Sequence, residues 1–91
     1  MIGNHKTTIT TAGGKTKVIY HQTAVVTFND NQIILNTGGW FTATTKTRMN
    51  QTSEQFDLGF KVYQRDHAWF VDYRGETIPF QCDKVVLARA A

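Results

Sequence analysis

At 91 residues the chain has room for one domain around one core, and 41% hydrophobic with only 19% charged residues excludes a disordered tail. A net charge of +3 and a pI near 9.3 favour anionic partners mildly, without the charge density of a histone-like tail. The single cysteine, Cys82, excludes an internal disulfide, and "MIGNHKTTIT" has no apolar run suited to a signal peptide or membrane span, so a reducing compartment is expected.

Residues 1–6 read as a frayed start. "TTITTA" (7–12) is β-branched with one large apolar residue, Ile9, and reads as an edge strand. Gly13-Gly14 is a two-residue hairpin signal. "KTKVIYHQTAVVTF" (15–28) places Val18, Tyr20, Ala24, Val26 and Phe28 on one parity and Ile19, His21, Thr23, Val25 and Thr27 on the other. That pattern predicts one long strand with an apolar and a mixed face, His21 standing mid-strand on the mixed face. Asn29-Asp30-Asn31 turns the chain into a third strand, "QIILN".

Past Gly38-Gly39 the period changes. Phe41, Thr45, Met49, Thr52 and Phe56 fall on one side of a helix capped by Thr42 or Thr44 and stopped at Leu58-Gly59. Period two then returns in "FKVYQ", "AWFVDY", "TIPF" and "VVLA", with turns at Arg65-Asp66-His67 and Arg74-Gly75-Glu76. Pro79 lacks a backbone donor and puts its strand at an edge. The order βββαβββ predicts an α+β domain spanning 1–91, a curved antiparallel sheet with one helix packed on it. A partly open OB-type barrel shares this order and is the alternative.

Little in the chain points to catalysis. "AGGKT" (12–16) ends like a phosphate loop, but Ile9 stands where the first glycine belongs and a strand follows. His5, His21 and His67 lie at no metal-ligand spacing with each other or with Cys82, so no metal is expected. Cys82 has no base nearby in sequence, and Asp30, Asp66 and Asp83 fall at turns. No enzyme and no cofactor are expected.

"NTGGWFTATTKTRMN" (36–50) is the stretch that suggests a ligand. Between Asp30 and Glu54 there is no acid. Gly38 and Gly39 let backbone amides approach a ligand. A helix N-terminus follows, with the hydroxyls of Thr42, Thr44, Thr45 and Thr47 around it. Lys46 and Arg48 supply charge, Arg48 with a two-pronged grip on an oxyanion. Trp40 either plugs the end of the sheet, the usual work of a tryptophan, or offers a stacking platform. His21 and Gln64 are secondary candidates.

At "YHQTAVVTF", "LNTGGWFTATTKTRMNQ" and "FKVYQRDHAWFVDY" the chain resembles small proteins of tailed phages and environmental viral sequences, most specifically through Gly38-Gly39-Trp40, Thr42, Thr44-Thr45-Lys46 and Arg48-Met49-Asn50. The resemblance implies a viral origin and action in the cytoplasm of an infected cell, and carries no mechanism. The residues themselves favour a non-enzymatic binder of a phosphate-bearing ligand, nucleic acid foremost. The alternatives are a module that acts on a host enzyme or self-assembles through edge strands at 7–12 and 77–80, and a nucleotide-binding sponge, itself an oligomer.

Overall fold

A computed structural model describes residues 6–89. The N-terminal stretch expected to fray lies, up to His5, outside the described residues. Among the described residues two antiparallel sheets and one helix enclose a common core.

The first sheet begins with β1 (Thr7–Ala12) and β2 (Lys15–Tyr20), joined by Gly13 and Gly14 at φ 60° and 76°, the left-handed pair of a type I′ turn. β3 (Thr23–Phe28) is a separate strand that folds back on β2 with Tyr20 opposite Thr23. The continuous strand expected from 15 to 28 is thus a hairpin, and His21 stands in its turn at φ 57° rather than mid-strand. The cause of the misreading is visible in the register. Val18 faces Val26 but Ile19 faces Ala24, so a bulge at Val25 adds one residue. The turn shifts the inward parity by one and the bulge shifts it back. Val18, Tyr20, Val26 and Phe28 therefore alternate as though no turn intervened.

Asn29 then caps its own turn, its Oδ1 accepting from the amides of Asn31 and Gln32 at 2.7 and 3.0 Å. β4 (Gln32–Asn36) follows, and the last strand, β8 (Lys84–Ala88), returns to pair with it, giving the order β1-β2-β3-β4-β8. A smaller sheet, β5 (Phe60–Arg65), β6 (Ala68–Tyr73) and β7 (Glu76–Pro79), is a meander in sequence order. The two sheets remain separate, without barrel closure. The α+β class with a helix packed on open antiparallel sheets holds.

The helix α1 (Ala43–Phe56) starts at Thr42, whose Oγ1 accepts from the Thr45 amide at 3.2 Å. Its stop falls earlier than Leu58-Gly59. Asp57 adopts the left-handed position at φ 53°, and the Leu58 amide reaches back to the Ser53 carbonyl at 2.9 Å, a Schellman closure that buries Leu58. Thr45, Met49 and Thr52 face inward as their spacing predicts, and Phe56 packs on Phe28 with ring centroids 5.0 Å apart. Phe41 precedes the helix instead of joining its inner side, and its ring meets Trp69 edge-on at 5.0 Å.

One flank of α1 closes the open edge of β5. Asn50 donates to the Val62 carbonyl and accepts from the Val62 amide, both at 2.8 Å. One turn on, Ser53 does the same for Phe60, at 2.7 and 3.0 Å. Two side chains thus replace a neighbouring strand, satisfying backbone groups that would otherwise be buried without partners. Inside, Val18, Val26, Ile33, Leu35 and Leu87 of the larger sheet meet Met49 of the helix and Phe60, Val62, Trp69 and Val71 of the smaller one. Each such side chain, fully buried, contributes about 1.5–3 kcal/mol.

Candidate functional site

The strand-to-helix connection after β4 is built from short local bonds. The Gly38 amide donates to Asn36 Oδ1 at 2.8 Å, the Gly39 amide to Thr37 Oγ1 at 3.2 Å, and the Trp40 amide to the Thr37 carbonyl at 3.0 Å. The two glycine amides are therefore engaged by their own loop and are not presented to a ligand as the sequence suggested. What glycine provides is conformation and clearance. Gly38 and Gly39 sit at φ 63° and 87°, and a Cβ on Gly38 would come within 2.6 Å of Thr23 Oγ1. The tight reversal turns Trp40 outward, leaving it 68% exposed. Trp40 is not the plug of the sheet end.

Beside it opens a cleft of about 680 Å³. Tyr20, His21, Gln22 and Thr23 of the β2–β3 turn form one wall, Thr37 and Trp40 of the loop the second, and Thr42 and Thr45 at the start of α1 the third, with Val25 among the lining residues. The Tyr20 and His21 rings meet edge-on at 4.4 Å. Among the described residues the lining is hydroxyl, amide and aromatic, with no carboxylate. Thr42 and Thr45 hydroxyls lie 3.1 Å apart and share a hydrogen bond. With the Thr45 amide capped by Thr42, the first-turn amides of Ala43 and Thr44 are the ones that point out of the helix start.

Of the residues singled out in the sequence, Trp40, Thr42, Thr45 and His21 converge on this cleft. Thr44 is half-buried and Thr47 exposed on the helix surface, outside the lining. Lys46 and Arg48, two residues apart, project about 200° from each other around a helix and cannot grip one anion together. Lys46 extends along the β5 flank, its Nζ 3.5 Å from Gln64 Oε1 and 5.6 Å from the Trp69 ring. Gln64 lines a shallower hollow of about 380 Å³ with Phe41, His67 and Trp69. Arg48 is 9% exposed, not held out for the two-pronged grip on an oxyanion expected of it. Its Nε donates to Thr7 Oγ1 at 3.0 Å, an NH group to Gln51 Oε1 at 3.3 Å, and its guanidinium lies 5.6 Å from the Tyr20 ring. Arg48 therefore ties α1 to β1 and braces the cleft wall from behind.

Gln22, Thr23 and Thr37 line the cleft without having been singled out. The signal was faint: a Tyr-His-Gln-Thr turn whose reversal the bulge concealed. Thr37 is buried because its backbone amide joins the Asp83 carbonyl, at 2.8 Å, next to the entry of β8. That pairing spans just over half the chain.

The profile of the Kyanoviridae Gp96 protein family matches residues 2–87, and the chain belongs to that family, which makes it a phage protein. No curated protein and no solved structure matches it significantly. Among the described residues no helix is long and apolar enough to cross a membrane.

Proposed function

We propose that this member of the Kyanoviridae Gp96 protein family is a non-enzymatic binding protein that takes a phosphate-bearing ligand, nucleic acid foremost, in the cleft beside Trp40. The observation that carries the reading is the 68% exposure of Trp40 at the rim of an acid-free, hydroxyl-lined cleft. A tryptophan normally stabilises a small core by burial, and here Trp69, 6% exposed, does so. The second indole is left as a flat apolar platform in water. Stacking a base on such a ring contributes about 1–3 kcal/mol. A phosphate then falls at the start of α1, where outward amides and the positive end of the helix dipole favour an anion and the Thr23 hydroxyl stands opposite. Lys46 and Arg48 add to the field without direct contact. Binding consequently weakens with salt along a shallower slope than two direct lysine and arginine contacts would give. The place of action is the cytoplasm of the infected cell.

The test is a titration of single-stranded DNA, single-stranded RNA and mononucleotides at low salt, read by isothermal titration calorimetry. Trp40→Phe retains binding and Trp40→Ala loses it, with the circular dichroism of both unchanged. Equal binding by wild type and Trp40→Ala, or no binding of any of these ligands, overturns the reading. A mononucleotide that binds as tightly as a strand assigns the cleft to a nucleotide sponge.

A further inference from the structure

We infer that the chain forms a two-fold symmetric dimer by pairing β1 with β1 of a second copy, joining the two five-stranded sheets into one. The fold treats its sheet edges unequally. The edge of β5 is closed by Asn50 and Ser53, β7 is four residues long and ends in Pro79, and β8 begins on Lys84. β1 stands at the outer end of its sheet with six residues, no proline and no charged side chain, and among the described residues no strand pairs with its far side. An unguarded edge of this kind is a template for another strand.

Three observations select a second copy as that strand. First, "TTITT" (7–11) reads the same in both directions. An antiparallel pair centred on Ile9 sets Thr8 against Thr10 of the second copy and Ile9 against itself, a self-complementary match that a two-fold axis requires. Secondly, the backbone parity is right. In the two-residue hairpin Ala12 and Lys15 form the closing hydrogen-bonded pair, and six residues earlier the His21 amide donates to the Lys6 carbonyl at 2.7 Å. Even-numbered residues of β1 thus bond inward to β2, and Ile9 and Thr11 turn their amides and carbonyls to the open edge. Thirdly, Ile9 is 43% exposed on the side of the sheet that faces the helix, as its partner Val18, fully buried, shows. Ile9 of a second copy covers that exposed surface. In this register Lys6 falls opposite Ala12, so like charges do not meet across the axis.

The experiment is sedimentation equilibrium of the full chain without nucleic acid. The wild type is expected to dimerise as concentration rises. Ile9→Lys places two ammonium groups at the axis and removes the apolar contact, moving the monomer–dimer midpoint up by about tenfold or more. Val86→Lys, at a side chain 53% exposed on the opposite face of the sheet, leaves the midpoint unchanged. Because Cys82 is the only native cysteine, Ile9→Cys in a Cys82→Ser background should oxidise to a covalent dimer, which tests the axis even if Ile9→Lys fails to fold. A wild type that stays monomeric up to its solubility limit overturns the inference. So does a folded Ile9→Lys variant with an unshifted midpoint, or a failure of Ile9→Cys to cross-link.

Discussion

Gly38→Ala separates two effects that the loop combines, backbone strain and steric contact. Both loop glycines have positive φ, so alanine at either position costs about 1 kcal/mol for the left-handed conformation alone. Gly39 has open space where a Cβ would go. At Gly38 the added carbon meets Thr23 Oγ1 at 2.6 Å, Cγ2 at 2.9 Å and Cβ at 3.3 Å, and the first two contacts are too close to survive. Relieving them requires a rotamer change at Thr23 or a shift of the loop, a penalty of about 1–3 kcal/mol beyond the strain. Urea denaturation monitored by circular dichroism should therefore find Gly39→Ala destabilised by about 1 kcal/mol and Gly38→Ala by about 2–4 kcal/mol. Thr23→Ala removes both offending atoms, so in the double variant Gly38→Ala should cost little more than Gly39→Ala. A coupling of about 1 kcal/mol or more between positions 23 and 38 is the expected signature. Equal losses for the two glycine variants, or additivity of Thr23→Ala with Gly38→Ala, would refute the packing argument.

Two further perturbations probe the helix. Arg48→Ala strips β1 and the Tyr20 ring of their tie to α1 and should lower stability by about 1–3 kcal/mol, measured by thermal unfolding, whereas Lys46→Ala, whose contact is exposed, should cost under about 1 kcal/mol. Asn50→Ala and Ser53→Ala each leave one amide and one carbonyl of β5 without a partner, at about 1–3 kcal/mol per orphaned group at most, and the Val62 and Phe60 amides respectively should lose protection in hydrogen exchange.

Local chemistry made much of the architecture legible. Gly13-Gly14, Asp66-His67 and Arg74-Gly75 mark reversals at positive φ, and Asn29 marks one through the Oδ1 that accepts from the Asn31 and Gln32 amides. Thr45, Met49 and Thr52 announce the helix through their spacing, and Thr42 announces its start. The hairpin at His21 was illegible because a bulge, defined by which residue pairs with which, restored the apolar alternation after the turn had broken it. The end of α1 was misplaced for a related reason. Gly59 does turn left-handed, at φ 80°, but Asp57 already closes the helix at φ 53°, where Leu58 can be buried.

The candidate site divides in the same way. Composition and spacing alone marked the acid-free segment, the helix start and Trp40, since these depend on residue type and short-range order. Whether a side chain points into a cleft or into the protein depends on what the helix packs against. Arg48 has the chemistry of a phosphate ligand and the position of a brace, because Thr7, remote in sequence, lies within reach of its guanidinium. Trp40 has the composition of a core residue and the position of a platform, because the loop reverses at Gly38 and Gly39, both at positive φ, and leaves the ring exposed. Local propensity and periodicity mark most of the elements, the hairpin at His21 excepted, because they act over a few residues. Whether Arg48 is satisfied is settled by the fold, because its partner Thr7 lies 41 residues away.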